Sequence, residues 1–412
     1  MELCRGAVNA AIRLKMTDSA SPTAASDHDP NTVLLLQLLD HCVAEKASDL
    51  HLSADHPPYL RLQGLLAPLA DQATLSPTTL RGMANYLCQG CNVQALEETG
   101  ALDGALSTAD GTRFRYNVYR RGGEFSIALR RLEETIRQLS DLGLSDDLYQ
   151  LAELRDGLVL LAGPTGCGKS TTLATLIDRI NRSRRSHIIT IEDPIEYLHP
   201  SHHSLVDQRQ IGTDARSFND ALVAALRQDP DVILVGEIRD LETIRTAITA
   251  AETGHLVFAT VHASDCAGSI DRLVTVFPAE EQPGIRRQLA MVLRAIIAQR
   301  LLVSDGMKFD SSSAPQQNDS TRPLVLASEV LMVNSAVGNL IAQAKDAQIY
   351  SMMETGSSEG MYTFEENLAR LLQRRLISER TAVAIAKNPQ VMLNRLRQGA
   401  ASNGNRLSTR NR

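Results

Sequence analysis

The sequence contains no tryptophan, and aromatic residues make up only 4% of it. Base-stacking sheets depend on exposed aromatic faces, as do carbohydrate platforms, so this scarcity weighs against both. Cysteine is also sparse. Six are spread over 412 residues, at positions 4, 42, 88, 91, 167 and 266, too few for a disulfide scaffold. Cys88-Gln89-Gly90-Cys91 is a lone CxxC with no second pair to complete a four-ligand zinc site, and it reads as two ordinary thiols. Basic residues are not in excess. Lys plus Arg is 42 and Asp plus Glu is 48, giving a net charge of −6. That argues against a surface built to neutralise phosphates, and no direct nucleic-acid partner is expected. No apolar run approaches the ~18–20 residues of a membrane span. Met1 to Lys15 lacks the continuous apolar core and cleavage pattern of a secretory signal. A reducing cytoplasm is the compartment this predicts.

Apolar residues at 43% and charged residues at 22% are an ordinary globular balance. At ~150 residues per domain, the length predicts two to three domains. Residues 1–32 are small and polar, and are expected as a disordered extension, with Met16 as an alternative start. A helical run opens at Val33, and strand-like pieces follow at Asp49 to Leu52 and Tyr59 to Leu62. Arg113 to Tyr119 alternates strictly before Gly122-Gly123 turns the chain into Phe125 to Leu129, a hairpin signal. Residues 33–135 therefore predict an α+β domain with an antiparallel sheet, and 136–150 a polar linker.

From Gly157 the pattern becomes apolar strands alternating with helices, the mark of a doubly wound, mostly parallel α/β sheet over 151–303. Asp310 to Ser320 has no apolar content beyond one Ala and Pro315, and 304–322 is expected as a solvated loop insertion. Residues 323–392 predict a helical C-terminal part, in which Thr363 and Glu366 form a capping box. Residues 393–412 predict a basic, frayed tail. The basic run Arg179, Arg182, Arg184, Arg185 reads as a solvated helix end, where cations suit the dipole.

Gly163-Pro164-Thr165-Gly166-Cys167-Gly168-Lys169-Ser170 fits G-x-x-x-x-G-K-[ST], with Thr171 next. It follows an apolar strand and opens a helix whose apolar face is Leu173, Leu176, Ile177 and Ile180. The glycines let backbone N–H groups turn inward on phosphates, and the helix N-terminus adds partial positive charge. Lys169 is expected at the β/γ-phosphates of ATP and the Ser170 hydroxyl on Mg2+. Hydrolysis also needs carboxylates to hold metal or water. Two acidic clusters offer them: Glu192-Asp193-Pro194-Ile195-Glu196 after a strand, and Glu237 after Val232 to Gly236. Alone, either reads as a solvated loop; together, downstream of a P-loop, they point to phosphoryl chemistry. His255 and His262 flank the strand Leu256 to Thr260, too far apart along it to share one metal ion.

These blocks resemble the secretion and pilus ATPase superfamily, and within it the twitching-motility retraction ATPases of type IV pili (PilT-like). The resemblance rests on Ala47 to Ser53, Arg113-Phe114-Arg115, the P-loop, Thr190 to Glu196, Leu234 to Asp240, and Thr249 to His262 followed by Val276-Phe277-Pro278. It implies a PAS-like N-terminal domain joined to a RecA-like core, and a homohexameric ring. It further implies Glu196 as the carboxylate polarising water, Glu237 supporting Mg2+ through water, and His255 and His262 at the γ-phosphate. Arg115 and Arg130 would reach the phosphates from the N-terminal domain. Implied partners are an inner-membrane pilus platform protein, which would bring the chain to the membrane periphery, and a paralogous ATPase sharing the ring. The short N-terminal extension and the lack of a four-cysteine element favour the retraction branch over pilus assembly or type II secretion. Ala336-Val337-Gly338-Asn339-Leu340-Ile341 departs from the branch, whose string carries Arg where Gly338 stands. That departure bears on the coupling of hydrolysis to retraction rather than on hydrolysis itself, and fits an accessory or divergent paralogue. A weakly hydrolysing regulatory subunit is a separate alternative, against which the intact Lys169, Ser170, Glu196 and Glu237 argue.

Overall fold

The computed structural model describes residues 29–62, 65–69, 71–88, 96, 100–132, 135–305 and 323–396. Most of the expected N-terminal extension, the loop insertion from 306 onward, Cys91 and the tail from 397 lie outside these residues.

The first sheet is antiparallel throughout. Its strands are β1 (Asp49–Ser53), β2 (Tyr59–Leu62), β3 (Leu65–Pro68), β4 (Ala101–Ser107), β5 (Arg113–Arg121) and β6 (Glu124–Arg131), in the order β3-β2-β1-β6-β5-β4. Helices α1 (Pro30–Ala44) and α2 (Pro77–Leu87) cover one face. Alternation along β5 sends Phe114, Tyr116 and Val118 into this core and leaves Arg113 and Arg115 on the opposite face. Helix α1 starts at Pro30, inside the stretch expected to be disordered. Proline at the first helical position supplies a preset φ where no N–H is needed.

The second sheet is built from β7 (Gly157–Ala162), β8 (His187–Glu192), β9 (Leu205–Gln210), β10 (Val232–Val235), β11 (Leu256–Val261), β12 (Leu293–Val303) and β13 (Leu324–Met332). The order is β13-β12-β7-β11-β10-β8-β9, parallel except for the β12–β13 pair. Every residue of β7, β10 and β11 is buried, as expected of strands covered on both faces. One face carries α3 (Lys169–Ser183); the other carries α4 (Phe218–Ala225), α5 (Leu241–Glu252), α6 (Cys266–Thr275), α7 (Gln282–Val292) and α8 (Ser335–Ala342). After α8 come α9 (Ile349–Thr355), α10 (Phe364–Gln373) and α11 (Glu379–Ile385), followed by a further helical stretch over 389–396.

Two sequence expectations need correcting. Residues 136–150 are not a free linker. Leu139, Leu144 and Leu148 are buried with α3 in the core, and a 3-10 turn (Asp146–Ala152) seals that face. The region 323–392 is not purely helical: it opens with β13, which closes the sheet edge against β12 over nine paired residues. Gly338 sits where α8 crosses α7, and a β-carbon there would lie 3.1 Å from the Ala290 carbonyl oxygen, so the bare backbone permits this close approach.

Candidate nucleotide site

The carboxyl ends of β7, β8, β10 and β11 face one cleft, where a doubly wound sheet binds its ligand. Chain leaving β7 makes the loop from Gly163 to Gly168. Gly163 has φ +147°, and a β-carbon there would clash with the Gln299 carbonyl and the Cys167 sulfur. Gly168, at φ +93°, caps α3 in the left-handed region. The Lys169 ammonium is nearly buried and donates to the carbonyls of Gly163 (2.8 Å) and Pro164 (3.1 Å). Cys167 turns underneath the loop, where burial pushes its thiol pKa up.

The cleft has a volume of about 510 Å3. Its floor is Thr165, Gly166, Gly168, Lys169, Ser170 and Thr171. Glu192, Asp193 and Glu196 enter from the end of β8, Gly236, Glu237 and Arg239 from the end of β10, and Thr260 and His262 from β11. Arg115 enters from the first sheet. The Glu237 carboxylate lies 3.3 Å from His262 Nε2 and 3.5 Å from the Arg239 guanidinium. Thr260 Oγ1 donates to the Gly236 carbonyl (2.5 Å), and Gly236 N–H donates to the Ile191 carbonyl, locking these strand ends together. Burial pushes the Glu192 carboxyl pKa up, against bonds donated by Thr190, Gln208 and the Glu196 backbone. Desolvation likewise raises Asp193, while the nearby Arg115 pulls it down.

Two expected members do not reach the cleft within the chain. His255 precedes β11, at the opposite end from His262, and its ring bonds the Ala250 carbonyl (2.9 Å) and Thr253 (3.2 Å). Six residues of strand at ~3.3 Å each separate the two histidines. Arg130 pairs across the sheet with Arg115, but its Nε donates to Asp49 Oδ1 at 2.8 Å. Register explains the difference: Arg130 faces β1, where Asp49 is its partner in the strand ladder, and Arg115 faces β4 and the cleft.

Arg239 carries no signal of its own in the sequence; it pairs with Glu237 at 3.5 Å and lines the cleft wall. Thr260, two residues before His262, lines the cleft without a sequence signal of its own. Arg113 lies two residues before Arg115 on β5. Its guanidinium is half-buried, burial lowers its pKa, and Glu192 opposes the shift. A second cavity of about 290 Å3 adjoins the other side of the P-loop, between Arg137, Asp141, Leu142, Thr172, Leu301 and Leu324.

Comparison with known proteins agrees with this geometry. Residues 98–384 match the Type II/IV secretion system protein family. The Pseudomonas aeruginosa protein named "Type IV pilus retractation ATPase PilT" is 38% identical over 356 residues, 86% of this chain and 99% of that protein. The "Twitching motility protein" of Neisseria gonorrhoeae is 42% identical over 292 residues, 71% of this chain and 74% of its own. The crystal structure of the pilus retraction motor PilT with bound ADP superposes with a TM-score of 0.77 at 39% identity, covering 87% of this chain and 99% of that one. With family match, relatives and fold in accord, the chain belongs to the type II/IV secretion system ATPase family.

Proposed function

We propose that this chain is an ATP-hydrolysing motor for the retraction of type IV pili. It works as a homohexamer at the cytoplasmic face of the inner membrane, docked on a pilus platform protein. Relatives named for pilus retraction and twitching support the biological role. The observation that carries the chemistry is the convergence of P-loop, carboxylates, His262 and Arg115 on one cleft. Among the described residues, no helix is long and apolar enough to cross a membrane, so attachment through a partner fits.

Residue roles follow from position. Backbone N–H groups of the loop and the Lys169 ammonium hold the phosphates; Lys169 exchanges its two loop carbonyls for phosphate oxygens. Glu196 orients and polarises the attacking water. Glu237 is steadied by His262 and Arg239, and through His262 it senses the terminal phosphate. Arg115 meets the charge that develops on the transferred group. Cys167 serves through its backbone, and the cavity bounded by Leu142, Leu301 and Leu324 takes the base.

Mg2+ fits the donor set. The Ser170 hydroxyl and the Glu237 carboxylate are hard oxygen donors in the same cleft. Mg2+ keeps several waters and leans on substrate phosphates, so one or two such protein groups suffice. When bound, it supplies charge neutralisation on the β- and γ-oxygens.

Deleting the gene and imaging surface pili tests the biological role. Accumulated fibres that fail to retract are the expected result. Bald cells would assign the chain to assembly instead, and unaltered pili would remove it from the pilus machine.

A further inference from the structure

We propose that Gln208, on the edge strand β9, is the positioning residue that fixes the Glu196 carboxylate in the cleft. The proposal rests on the reading of Glu196 as the water-polarising group.

Glu196 lies on the extended segment that leaves β8. Burial alternates along it: Ile195, Tyr197 and His199 are buried, Glu196 is half-buried in the cleft wall, and Leu198 is half-exposed. An extended segment sends alternate side chains to opposite sides, so the odd-numbered residues anchor it and Glu196 faces the nucleotide. This segment has no strand partner of its own. Side chains of β9 take the place of a ladder. Gln208 Nε2 donates to the Tyr197 carbonyl (2.8 Å) and to Glu192 Oε1 (3.2 Å). Gln208 Oε1 accepts from the His199 backbone N–H (2.8 Å). Gln210 Oε1 adds a bond from the Ile195 N–H at 3.3 Å.

The three partners of Gln208 are a carbonyl, a carboxylate and an N–H. One primary amide serves all three, because it carries two donors and an acceptor. A carboxylate at the same position would lose both donors and face Glu192 with like charge. An apolar side chain would remove the bonds that now reach the Tyr197 carbonyl and the His199 N–H. The clamp also reaches the P-loop from the far side: the Tyr197 hydroxyl bonds Thr171 Oγ1 (3.0 Å), next to Ser170 in the P-loop helix. Glu196 therefore sits between two pins. One runs to the edge strand through Gln208, and the other to the P-loop through Tyr197. A displacement of about 1 Å at a reacting group is worth ~10²-fold in rate, so loosening either pin should act on turnover before it acts on binding.

The test uses the full chain with Gln208→Met, which keeps the volume and removes all three bonds, and Gln208→Glu. Leu198→Ser, on the solvent side of the same segment, is the control. The readouts are kcat, KM for ATP, the affinity for a fluorescent ADP analogue, and amide hydrogen exchange over residues 195–199. Both Gln208 variants should lose roughly 10- to 100-fold in kcat, with KM and ADP affinity within about threefold and faster exchange at 195–199. The same variants are then made in a Glu196→Gln background, where little further loss is expected because the group being positioned is gone. The proposal is overturned if Gln208→Met stays within twofold of wild-type kcat while Glu196→Gln is inactive. It is also overturned if Gln208→Met slows turnover equally in both backgrounds, or if ADP affinity collapses together with the rate, since both mark a general loss of structure. A near-normal Glu196→Gln would instead sink the reading of Glu196, whatever Gln208 does.

Discussion

Arg115 and Arg130 face each other across one strand pair, yet their different contacts predict opposite consequences on removal. Arg130 donates to Asp49, whose side chain is only 8% exposed. Taking Arg130 away leaves that carboxylate with the Ser48 hydroxyl at 2.7 Å and the Arg61 guanidinium at 3.7 Å. A hydrogen bond to a charged group is worth ~1.5–3 kcal/mol; the Arg130 side chain is itself mostly exposed, so the lower end applies, about 1–2 kcal/mol. In a unit of about 100 residues, each kcal/mol moves the melting midpoint by roughly 4–8 °C. Arg115 has only a 3.7 Å contact with exposed Asp103, and losing it should change stability by less than ~0.5 kcal/mol. Its loss should instead lower ATP turnover by ~10³-fold or more, the scale of a removed phosphate-directed arginine. Thermal melting and phosphate release on Arg115→Ala and Arg130→Ala separate the two.

The Arg130 penalty also depends on pH. Burial alone would raise the Asp49 pKa, but bonds from Ser48 and Arg130 bring it below its ordinary value. A folded-state pKa below the unfolded one contributes stability above the unfolded pKa of ~3.9 and loses it as pH falls through the folded value. The stability gap between wild type and Arg130→Ala should thus be full at pH 7 and close below about pH 4. If Arg130→Ala abolishes turnover with an unchanged melting midpoint, the reasoning is wrong, and Arg130 serves a phosphate bound by a neighbouring chain.

Two further outcomes follow. Glu196→Gln should keep ADP affinity and lose ~10²–10⁴ in rate; if Glu237→Gln shows that signature and Glu196→Gln does not, the two roles are exchanged. A chain cut to begin just before Arg137 should fold and bind ATP but hydrolyse it poorly, since Arg115 is gone. One cut at Leu151 loses Leu139, Leu144 and Leu148, each worth ~1.5–3 kcal/mol of burial, and should melt well below it. Equal melting of the two would contradict the packing of that segment on α3.

The parts legible in the sequence are those with strong local signals. Continuous apolar runs give β7, β10 and β11, strict alternation gives β5, and the glycine pattern gives the P-loop. Thr363 caps α10 as its spacing with Glu366 suggests, accepting from the Glu366 N–H. The strands that escape a reading of the sequence are those without a local signal of this kind. β13 pairs with β12 across the interrupted stretch 304–322, and β9 is a polar edge strand, Leu205-Val206-Asp207-Gln208-Arg209-Gln210, with no apolar run to betray it. The same distinction governs the site. Most residues lining the cleft belong to motifs, and position along a strand reveals which end they occupy; His255 and His262 are separated by this alone. Residues that act through register are opaque until the ladder is known. Nothing local distinguishes Arg115 from Arg130, or marks Gln208 as the partner of residues on another strand.

Steady-state phosphate release by the purified chain decides whether this cleft turns over ATP. Wild type should hydrolyse ATP with a specific activity that rises with protein concentration as rings form. Lys169→Ala, which removes the ammonium held between Gly163 and Pro164, should show weakened ATP binding and no turnover. A Lys169→Ala protein that releases phosphate at the wild-type rate would contradict the account.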